Sequence, residues 1–259
     1  MIRDSQEIME AVRDVAVHAG QVAHSFFGRR LDVEQKIDGS PVTVADRSAE
    51  EAARTWIEKR FPSDGFAGEE FGAVRPDARR RWIVDPIDGT KAFVRGVPLW
   101  GTLVALCDGD EVIAGAARFP ALDETLVAAL GQGCWWNGRR AHVSGVSSIS
   151  ESLVLTTDPE FRATPDRRLG WERLSAAAAH SRSWGDCYGY LLVATGRAEV
   201  MVDPIMADWD SAALYPAIVE AGGVFTDWSG NVTALGGSAV ATNRAVSAAA
   251  RALLEESNR

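Results

Sequence analysis

This sequence of 259 residues is poor in cysteine, has no long apolar run and contains no extended block of lysine or arginine. Its three cysteines, Cys107, Cys134 and Cys187, are widely spaced, which excludes zinc-ligand spacing and a disulfide framework. We therefore expect buried thiols in a reducing compartment. No apolar run is as long as a membrane span, and no signal-peptide core follows the charged N-terminus, so we expect a cytoplasmic protein that does not bind a membrane.

Positive charge is in the minority, with 27 lysines and arginines against 36 aspartates and glutamates and a net charge of −9. The short cluster Arg79-Arg80-Arg81 precedes a predicted strand, so we expect no nucleic-acid partner. An acidic protein repels an anionic substrate at long range. If the substrate is a phosphate ester, bound divalent cations must therefore reverse the local charge.

The remaining composition, 46% hydrophobic and 24% charged, is typical of a globular protein that can bury a full core. Apolar periodicity predicts helices over 4–27, 46–61, 166–180, 186–195, 210–221 and 244–256. It predicts strands over 82–85, 99–106, 111–119, 125–129, 153–157, 198–202, 224–227 and 238–242. The segment 143–152 is rich in serine and glycine and divides the chain into two predicted lobes. Residues 1–145 combine helices with an antiparallel sheet, and residues 146–259 alternate helices and strands.

The most informative stretch is Trp82-Ile83-Val84-Asp85-Pro86-Ile87-Asp88-Gly89-Thr90, where an apolar strand leads into a polar turn. Pro86 restricts its own φ, and Gly89 permits a backbone conformation that other residues resist. The carboxylates of Asp85 and Asp88 suit a hard cation, and the backbone N–H groups that follow suit a phosphate. The alternative is a polar turn whose aspartates cap backbone amides.

Two distant acidic motifs offer further metal ligands. Glu69 follows a short apolar stretch, and because neighbours on an extended chain face opposite sides, we expect Glu69 rather than Glu70 to reach a metal. Asp210 opens an apolar helical run. Each has a simpler explanation, because Glu69 can belong to a solvated turn and Asp208 or Asp210 can be a helix N-cap.

The loop over 36–46 leads into the second predicted helix and places Asp46 at its start. Asp46 is either the cap of that helix or an acceptor that orients a water molecule. Together, the motifs predict metal-assisted transfer of a phosphoryl group to water. Two or three Mg²⁺ ions would be held by Glu69, Asp85, the Ile87 carbonyl, Asp88 and Asp210.

The same hypothesis assigns roles in phosphate binding and catalysis. Asp88 and the N–H groups of Gly89 and Thr90 would bind the phosphate. The Thr90 hydroxyl and Asp46, with Glu69, would orient or deprotonate the attacking water. Haloacid-dehalogenase-type phosphatases place a comparable Asp-x-Asp after a strand and use the first Asp as a covalent nucleophile. Here the spacing has one more residue, which turns the second carboxylate in a different direction, so we reject that route.

Taken in order, the 36–46 loop, Gly68-Glu69-Glu70, the 85–90 turn, Trp209-Asp210 and Gly222-Gly223 resemble the inositol monophosphatase superfamily. The resemblance covers nearly the whole chain and implies a layered αβαβα fold, dependence on Mg²⁺, inhibition by Li⁺ and a homodimer. It assigns the same metal ligands, the same water-activating pair and the same phosphate-binding residues. The chain departs from the family at Ala92, where asparagine is usual. This difference affects how the loop is supported and removes no metal ligand.

The segment Arg182-Ser183-Trp184-Gly185-Asp186-Cys187-Tyr188-Gly189-Tyr190 resembles the histidinol-phosphate phosphatase branch of that superfamily. Histidinol phosphate carries an ammonium and an imidazole, which suit acidic groups better than a neutral polyol does. We therefore predict that Asp186 and Asp203 bind the substrate, a small-molecule phosphate ester, and we include Arg182 of the same segment among the substrate-binding residues. Asp186 is equally well placed to cap the predicted 186–195 helix.

Two alternative functions remain open at this stage. The first is an inositol-1-monophosphatase or a broader sugar or nucleotide phosphatase of the same superfamily. The second is an inactive module that binds metal or phosphate, although no residue of the predicted site is missing from the sequence.

Overall fold

The computed structural model describes residues 5–36 and 39–255. Residue 4 of the first predicted helix, residue 256 of the last one, and Ile37 and Asp38 of the predicted loop lie outside these described residues. The three cysteines are free and buried, as the sequence predicts. In the described part of the chain, no helix combines the length and the apolar character needed to cross a membrane.

The first half of the chain builds an eight-stranded sheet, and a short two-stranded pair precedes it. The pair is β1 (Glu34–Gln35) and β2 (Pro41–Val42). The strands of the sheet are β3 (Gly65–Gly68), β4 (Gly72–Val74), β5 (Arg80–Asp88), β6 (Gly101–Asp108), β7 (Glu111–Phe119), β8 (Glu124–Ala129), β9 (Gly133–Trp136) and β10 (Arg139–Arg140). Their order is β10-β9-β8-β7-β6-β5-β3-β4, and only β3 and β5 pair in parallel within the described sheet.

The second half builds a five-stranded mixed sheet. Its strands are β11 (Leu153–Thr156), β12 (His180–Arg182), β13 (Val200–Asp203), β14 (Val224–Thr226) and β15 (Ala239–Thr242). Their order is β12-β11-β13-β15-β14, in which β11 runs parallel to both of its neighbours and β15 runs antiparallel to both of its own.

Eight α-helices of the described chain surround and separate the two sheets. They are α1 (Ser5–His24), α2 (Val44–Arg60), α3 (Thr90–Phe93), α4 (Pro165–Ala177), α5 (Asp186–Ala194), α6 (Asp208–Ser211), α7 (Leu214–Glu220) and α8 (Ser247–Glu255).

Burial explains why these elements stack in five layers. Leu103 and Leu106 of β6 belong to different hydrophobic clusters, because they lie an odd number of residues apart and face opposite sides of the first sheet. One cluster packs under α1 and α2, and the other contains Leu191 of α5 and Ile218 of α7. The second sheet covers this middle layer, and α4 and α8 pack on its far face. The predicted αβαβα layering is therefore confirmed.

Several elements differ from the sequence-based predictions. The strand predicted over 82–85 continues to Asp88. The helix predicted over 210–221 is two short helices, α6 and α7, because Pro216 has no N–H and is accommodated only in a first helical turn. Six short strands were not predicted, since none of them carries an apolar alternation long enough to be recognised: β1, β2, β4, β9, β10 and β12.

The chain passes from the first sheet to the second in the segment between β10 and β11, and this segment includes the predicted 143–152 boundary. One hydrophobic cluster nevertheless contains residues of both sheets, among them Leu103 and Leu155. The division into lobes at residue 145 therefore stays a prediction.

Candidate active site

A bulge in β5 brings the two aspartates of the central motif together. Asp85 pairs with Leu103 of β6 and Asp88 pairs with Gly101, so three steps along β5 match two steps along β6. Side chains alternate along a strand, and the extra residue in β5 restores a common direction for two residues an odd distance apart. The bulge therefore removes the reason, based on side-chain direction, for rejecting an aspartyl-phosphate intermediate.

Asp210 joins the two β5 aspartates from the start of α6. Each of the three side chains offers a carboxylate oxygen, and these atoms all lie within 4.8 Å of one another. Burial is the largest cause that raises the pKa of Asp85 well above its usual range, and the charges of its acidic neighbours add to the rise. Burial and the charges of Asp186 and Asp210 do the same to the pKa of Asp88.

This donor set fits a divalent metal ion. Like charges held this close in a buried site repel one another, and a cation among them removes that repulsion. Carboxylate oxygens are the ligands that Mg²⁺ and Ca²⁺ prefer. Asp85, Asp88 and Asp210 are thus the residues that would hold the ion. The Ile87 carbonyl accepts a hydrogen bond from the Thr90 hydroxyl at 2.9 Å and keeps a second lone pair for a ligand.

Glu69 lies next to this group of three carboxylates and is held by a lysine. Its charge contributes to the raised pKa of Asp85. The Lys36 ammonium lies 2.6 Å from a carboxylate oxygen of Glu69 and 2.6 Å from one of Glu70. Burial alone would lower the pKa of Lys36, but the two hydrogen-bonded glutamates outweigh it and raise that pKa. A bound cation would compete with Lys36 for the Glu69 carboxylate.

Asp46 and Thr90 face each other across the site. The N-cap of α2 is Thr43 rather than Asp46. Asp46 completes a capping box, in which its Oδ2 accepts hydrogen bonds from the backbone N–H and the hydroxyl of Thr43 at 2.8 and 2.7 Å. Its Oδ1 lies 3.4 Å from the Thr90 hydroxyl. Asp46 is therefore not the cap itself, although it supports the cap through Thr43, and its position is compatible with a role in catalysis.

Gly89 marks the start of α3, where the sequence predicts phosphate binding. Its φ of 84° lies in the left-handed region that favours glycine. A Cβ at this position would lie 3.1 Å from the Leu99 carbonyl oxygen and 3.3 Å from Asp186 Oδ2. The Asp186 carboxylate is therefore close to the predicted phosphate-binding turn. Ala92, the departure from the family pattern, lies in α3 itself.

Asp186 is the first residue of α5 and not its N-cap, which is Gly185. Its φ is 49°, an uncommon value for aspartate, and its backbone N–H donates to the Thr157 hydroxyl at 2.8 Å. Burial raises the pKa of Asp186 to about 6, and the charge of Lys91 opposes that rise. Asp186 lines a cavity of about 80 Å³ together with Asp88, Asp203 and Asp210.

Asp203 and Arg182 have different surroundings. Asp203 is buried at the end of β13, where Oδ1 accepts from the Thr157 N–H at 3.1 Å and Oδ2 accepts from the Tyr190 hydroxyl at 3.0 Å. Burial raises the pKa of Asp203 to about 7. Arg182 lies exposed on the edge strand β12, and its guanidinium donates to the carbonyl of Ser181. Arg182 is not one of the described residues that line the 80 Å³ cavity.

Three residues of the site were not singled out from the sequence. Lys36 binds both glutamates, Thr157 binds Asp186 and Asp203, and Glu50 accepts hydrogen bonds from the backbone beside Glu70. Glu50 lies four residues after Asp46, on the same face of α2. This four-residue spacing from Asp46, in a helix whose alanines face the core, is the sequence pattern that could have identified Glu50.

Comparisons with known proteins show which proteins this chain resembles. The model of the family described as "Inositol monophosphatase family" matches residues 4–259. A histidinol-phosphatase from Chlorobaculum parvum is 43% identical over 92% of this chain and 93% of its own length. A histidinol-phosphatase from Mycobacterium tuberculosis is 39% identical over 94% of this chain and 95% of its own length.

A solved structure has the same fold. The extragenic suppressor protein suhB from Bartonella henselae superposes with a TM-score of 0.92 and 27% identity, covering 97% of this chain and 100% of that one. The relatives named as phosphatases indicate that this protein is a phosphoric monoester hydrolase. The chain belongs to the inositol monophosphatase family.

Proposed function

We propose that this enzyme hydrolyses L-histidinol phosphate to L-histidinol and phosphate, a step of histidine biosynthesis, with Mg²⁺ as its cofactor. The observation that carries the proposal is the position of Asp186, whose carboxylate lies beside Gly89 of the predicted phosphate-binding turn. A phosphate ester bound at that turn would bring a cationic alcohol group to this carboxylate. The histidinol-phosphatases that are 43% and 39% identical support the same substrate.

The residues of this chain would act in two ways. Thr90 donates to the Ile87 carbonyl and faces Asp46, so these groups can orient a water molecule and receive its proton. The Cys187 N–H donates to Asp88 Oδ2 at 2.5 Å and fixes the direction of that carboxylate. When bound by the carboxylates, Mg²⁺ lowers the pKa of a water molecule and offsets the charge of the phosphate.

A second candidate is a sugar or nucleotide phosphatase, because three basic side chains line a larger cavity beside the site. This cavity of about 610 Å³ shares Thr157 and Asp186 with the smaller one, and it is also lined by Lys91, Arg95 and Arg162 and by one further acidic residue, Asp158. Three cations beside the site favour a leaving group that carries negative charge. A substrate comparison must therefore include an anionic ester.

The test measures phosphate release with Mg²⁺ from histidinol phosphate, inositol 1-phosphate, a nucleoside monophosphate and β-glycerophosphate. We expect kcat/KM for histidinol phosphate to exceed the others by roughly 10- to 100-fold, the effect of one hydrogen bond to a charged group. Comparable rates on all four would leave a broad phosphatase and remove the proposed specificity.

A variant tests the role of Asp186 directly. Asp186→Asn keeps the shape of the side chain and removes its charge, so it should lower kcat/KM for histidinol phosphate more than for β-glycerophosphate. Asp166→Asn, at an exposed position in the first turn of α4, is the control. An equal loss on both substrates would assign Asp186 to the site in general and not to recognition of the cation.

We further propose a homodimer and inhibition by Li⁺, as the family resemblance implies. Light scattering coupled to size exclusion measures the mass in solution. A mass of 27.9 kDa, that of one chain, would contradict the dimer. Phosphate release at increasing LiCl, with KCl at the same concentrations as the control, measures the inhibition.

A further inference from the structure

A buried glutamate that the proposed chemistry does not use holds the backbone beside Glu69. Glu50 lies on α2 and is 0% exposed. Its Oε2 accepts the backbone N–H of Glu70 at 2.7 Å, and its Oε1 accepts the backbone N–H of Phe71 at 2.9 Å. Both carboxylate oxygens are therefore occupied by the turn that follows Glu69. Such paired bonds to a carboxylate are stronger than bonds between neutral groups.

The backbone on the other side of Glu69 is shaped for the same contact. Gly68 is the last residue of β3 and immediately precedes Glu69. A Cβ at Gly68 would lie 2.0 Å from Glu50 Oε1, so only glycine leaves room for the carboxylate. The Glu69 N–H donates to the Val84 carbonyl of β5 at 3.3 Å. The Glu69 backbone is thus fixed by β5 on one side and by α2 on the other.

The same helix positions the opposite wall of the site. Asp46 and Glu50 are four residues apart, one turn of helix, and lie on the same face of α2. Asp46 faces Thr90, and Glu50 binds the turn after Glu69. Ala49, between them in sequence, is fully buried, so α2 is held firmly against the core. One helix therefore contacts both the Thr90 hydroxyl and the turn that follows Glu69.

We infer that Glu50 is a positioning residue, which holds the backbone at Glu69 so that its side chain is directed to the bound cation. The inference rests on the proposed metal-dependent function. A purely structural Glu50 would affect the stability of the protein and leave its affinity for the cation unchanged. Groups that orient metal ligands in this way commonly change metal affinity by about 10- to 100-fold when they are replaced.

Glu50→Gln tests the inference, because glutamine keeps the size of the side chain and has only one oxygen to accept two N–H groups. The matched control is Glu51→Gln, at the neighbouring exposed position of α2. Calorimetric titration of the substrate-free protein with MgCl₂ measures the Kd. We expect Glu50→Gln to raise the Kd for Mg²⁺ about tenfold or more. Glu51→Gln should bind as the unsubstituted protein does.

A kinetic measurement separates positioning from catalysis. At saturating Mg²⁺, kcat of Glu50→Gln should recover to within about threefold, since the loss lies in metal affinity and not in a group that touches the substrate. If Glu50→Gln is not folded by circular dichroism, Glu50→Asp replaces it, because aspartate keeps the charge and shortens the reach. A folded variant that binds Mg²⁺ as tightly as Glu51→Gln overturns the inference.

The two hypotheses fail in different ways. If the unsubstituted protein binds Mg²⁺ but does not hydrolyse histidinol phosphate, the proposed substrate is wrong and the role of Glu50 is still decided by the titration. If the unsubstituted protein does not bind Mg²⁺, the metal-dependent function and the inference are both overturned.

Discussion

Replacing Asp210 by asparagine should stabilise the metal-free protein while it weakens metal binding. Asp210 is half-buried at the start of α6, and its Oδ2 accepts the Ala207 N–H at 2.7 Å. Burial is the main cause that raises its pKa from 3.8 to about 6, and the charge of Glu69 adds to this. Asparagine keeps an oxygen for Ala207 and presents an amide donor to the neighbouring Asp85.

The magnitude follows from the difference between the folded and unfolded pKa of Asp210. A rise from 3.8 to about 6 is about 2 units, and each unit corresponds to about 1.4 kcal/mol. A carboxyl group whose pKa is raised by folding destabilises the protein above pH 6, and this penalty disappears as the pH falls from 6 to 4. The penalty at pH 7.5 is therefore about 3 kcal/mol. Because Asp210 is partly exposed to solvent, we expect Asp210→Asn to recover about 2 kcal/mol.

Thermal unfolding provides the assay. In EDTA at pH 7.5, Asp210→Asn should raise Tm by about 4 to 8 °C, given roughly 2 to 4 °C per kcal/mol for a chain of this size. Addition of Mg²⁺ should raise Tm of the unsubstituted protein and have little effect on the variant. At pH 4.5 in EDTA the advantage of the variant should largely disappear.

Asp208→Asn is the control, since Asp208 lies exposed in the same short helix. It should change Tm little and retain the response to Mg²⁺. If Asp210→Asn is no more stable than the unsubstituted protein in EDTA at pH 7.5, ionised Asp210 does not carry the burial penalty argued here.

Three further predictions concern the neighbouring residues. Thr90→Ala should lower kcat by about 100-fold or more while Thr90→Ser retains most of it; equal loss in both, measured by phosphate release, would assign the effect to packing. Gly89→Ala should destabilise the protein by about 1 to 2 kcal/mol in urea unfolding, because its φ of 84° is unfavourable for alanine, and an unchanged midpoint would contradict this. Tyr190→Phe removes a donor to the buried Asp203 and should cost about 1 to 3 kcal/mol at pH 8.5. That cost should shrink at pH 5, because the Asp203 carboxyl, with a pKa of about 7, is then protonated; equal costs at both pH values would be inconsistent.

Local sequence patterns identified the long elements well. Val12, Val15 and Ala19 recur at helical spacing and are buried in α1 as predicted. β6 and β7 match the predicted strands within a few residues. These segments are long enough for their apolar periodicity to outweigh other tendencies. The short strands and the division of the 210–221 helix depend on pairing and on one proline, so periodicity alone did not reveal them.

The residues of the site were identified by their chemistry, but their arrangement was not. Asp85, Asp88 and Asp210 were selected as oxygen ligands from two separate acidic motifs of the sequence. Their approach to within 4.8 Å depends on the bulge in β5 and on the packing of α6 against that strand. Asp203 was predicted to bind the substrate. The structure shows that Tyr190 and Thr157 donate to its two oxygens and that it lines the cavity with Asp88 and Asp186, so its role in binding stays a prediction.

The sequence by itself determined which groups are available: carboxylates for a hard cation, a glycine that tolerates a positive φ, and apolar stripes that form the layers. Only the tertiary structure decided which carboxylates meet, which are occupied by backbone N–H groups, and that α2 joins Glu50 to the Glu69 turn. The physical reason is that residue type specifies chemistry and local conformation. Distances between residues far apart in the chain are specified by the packing of whole elements and by the register of their strands.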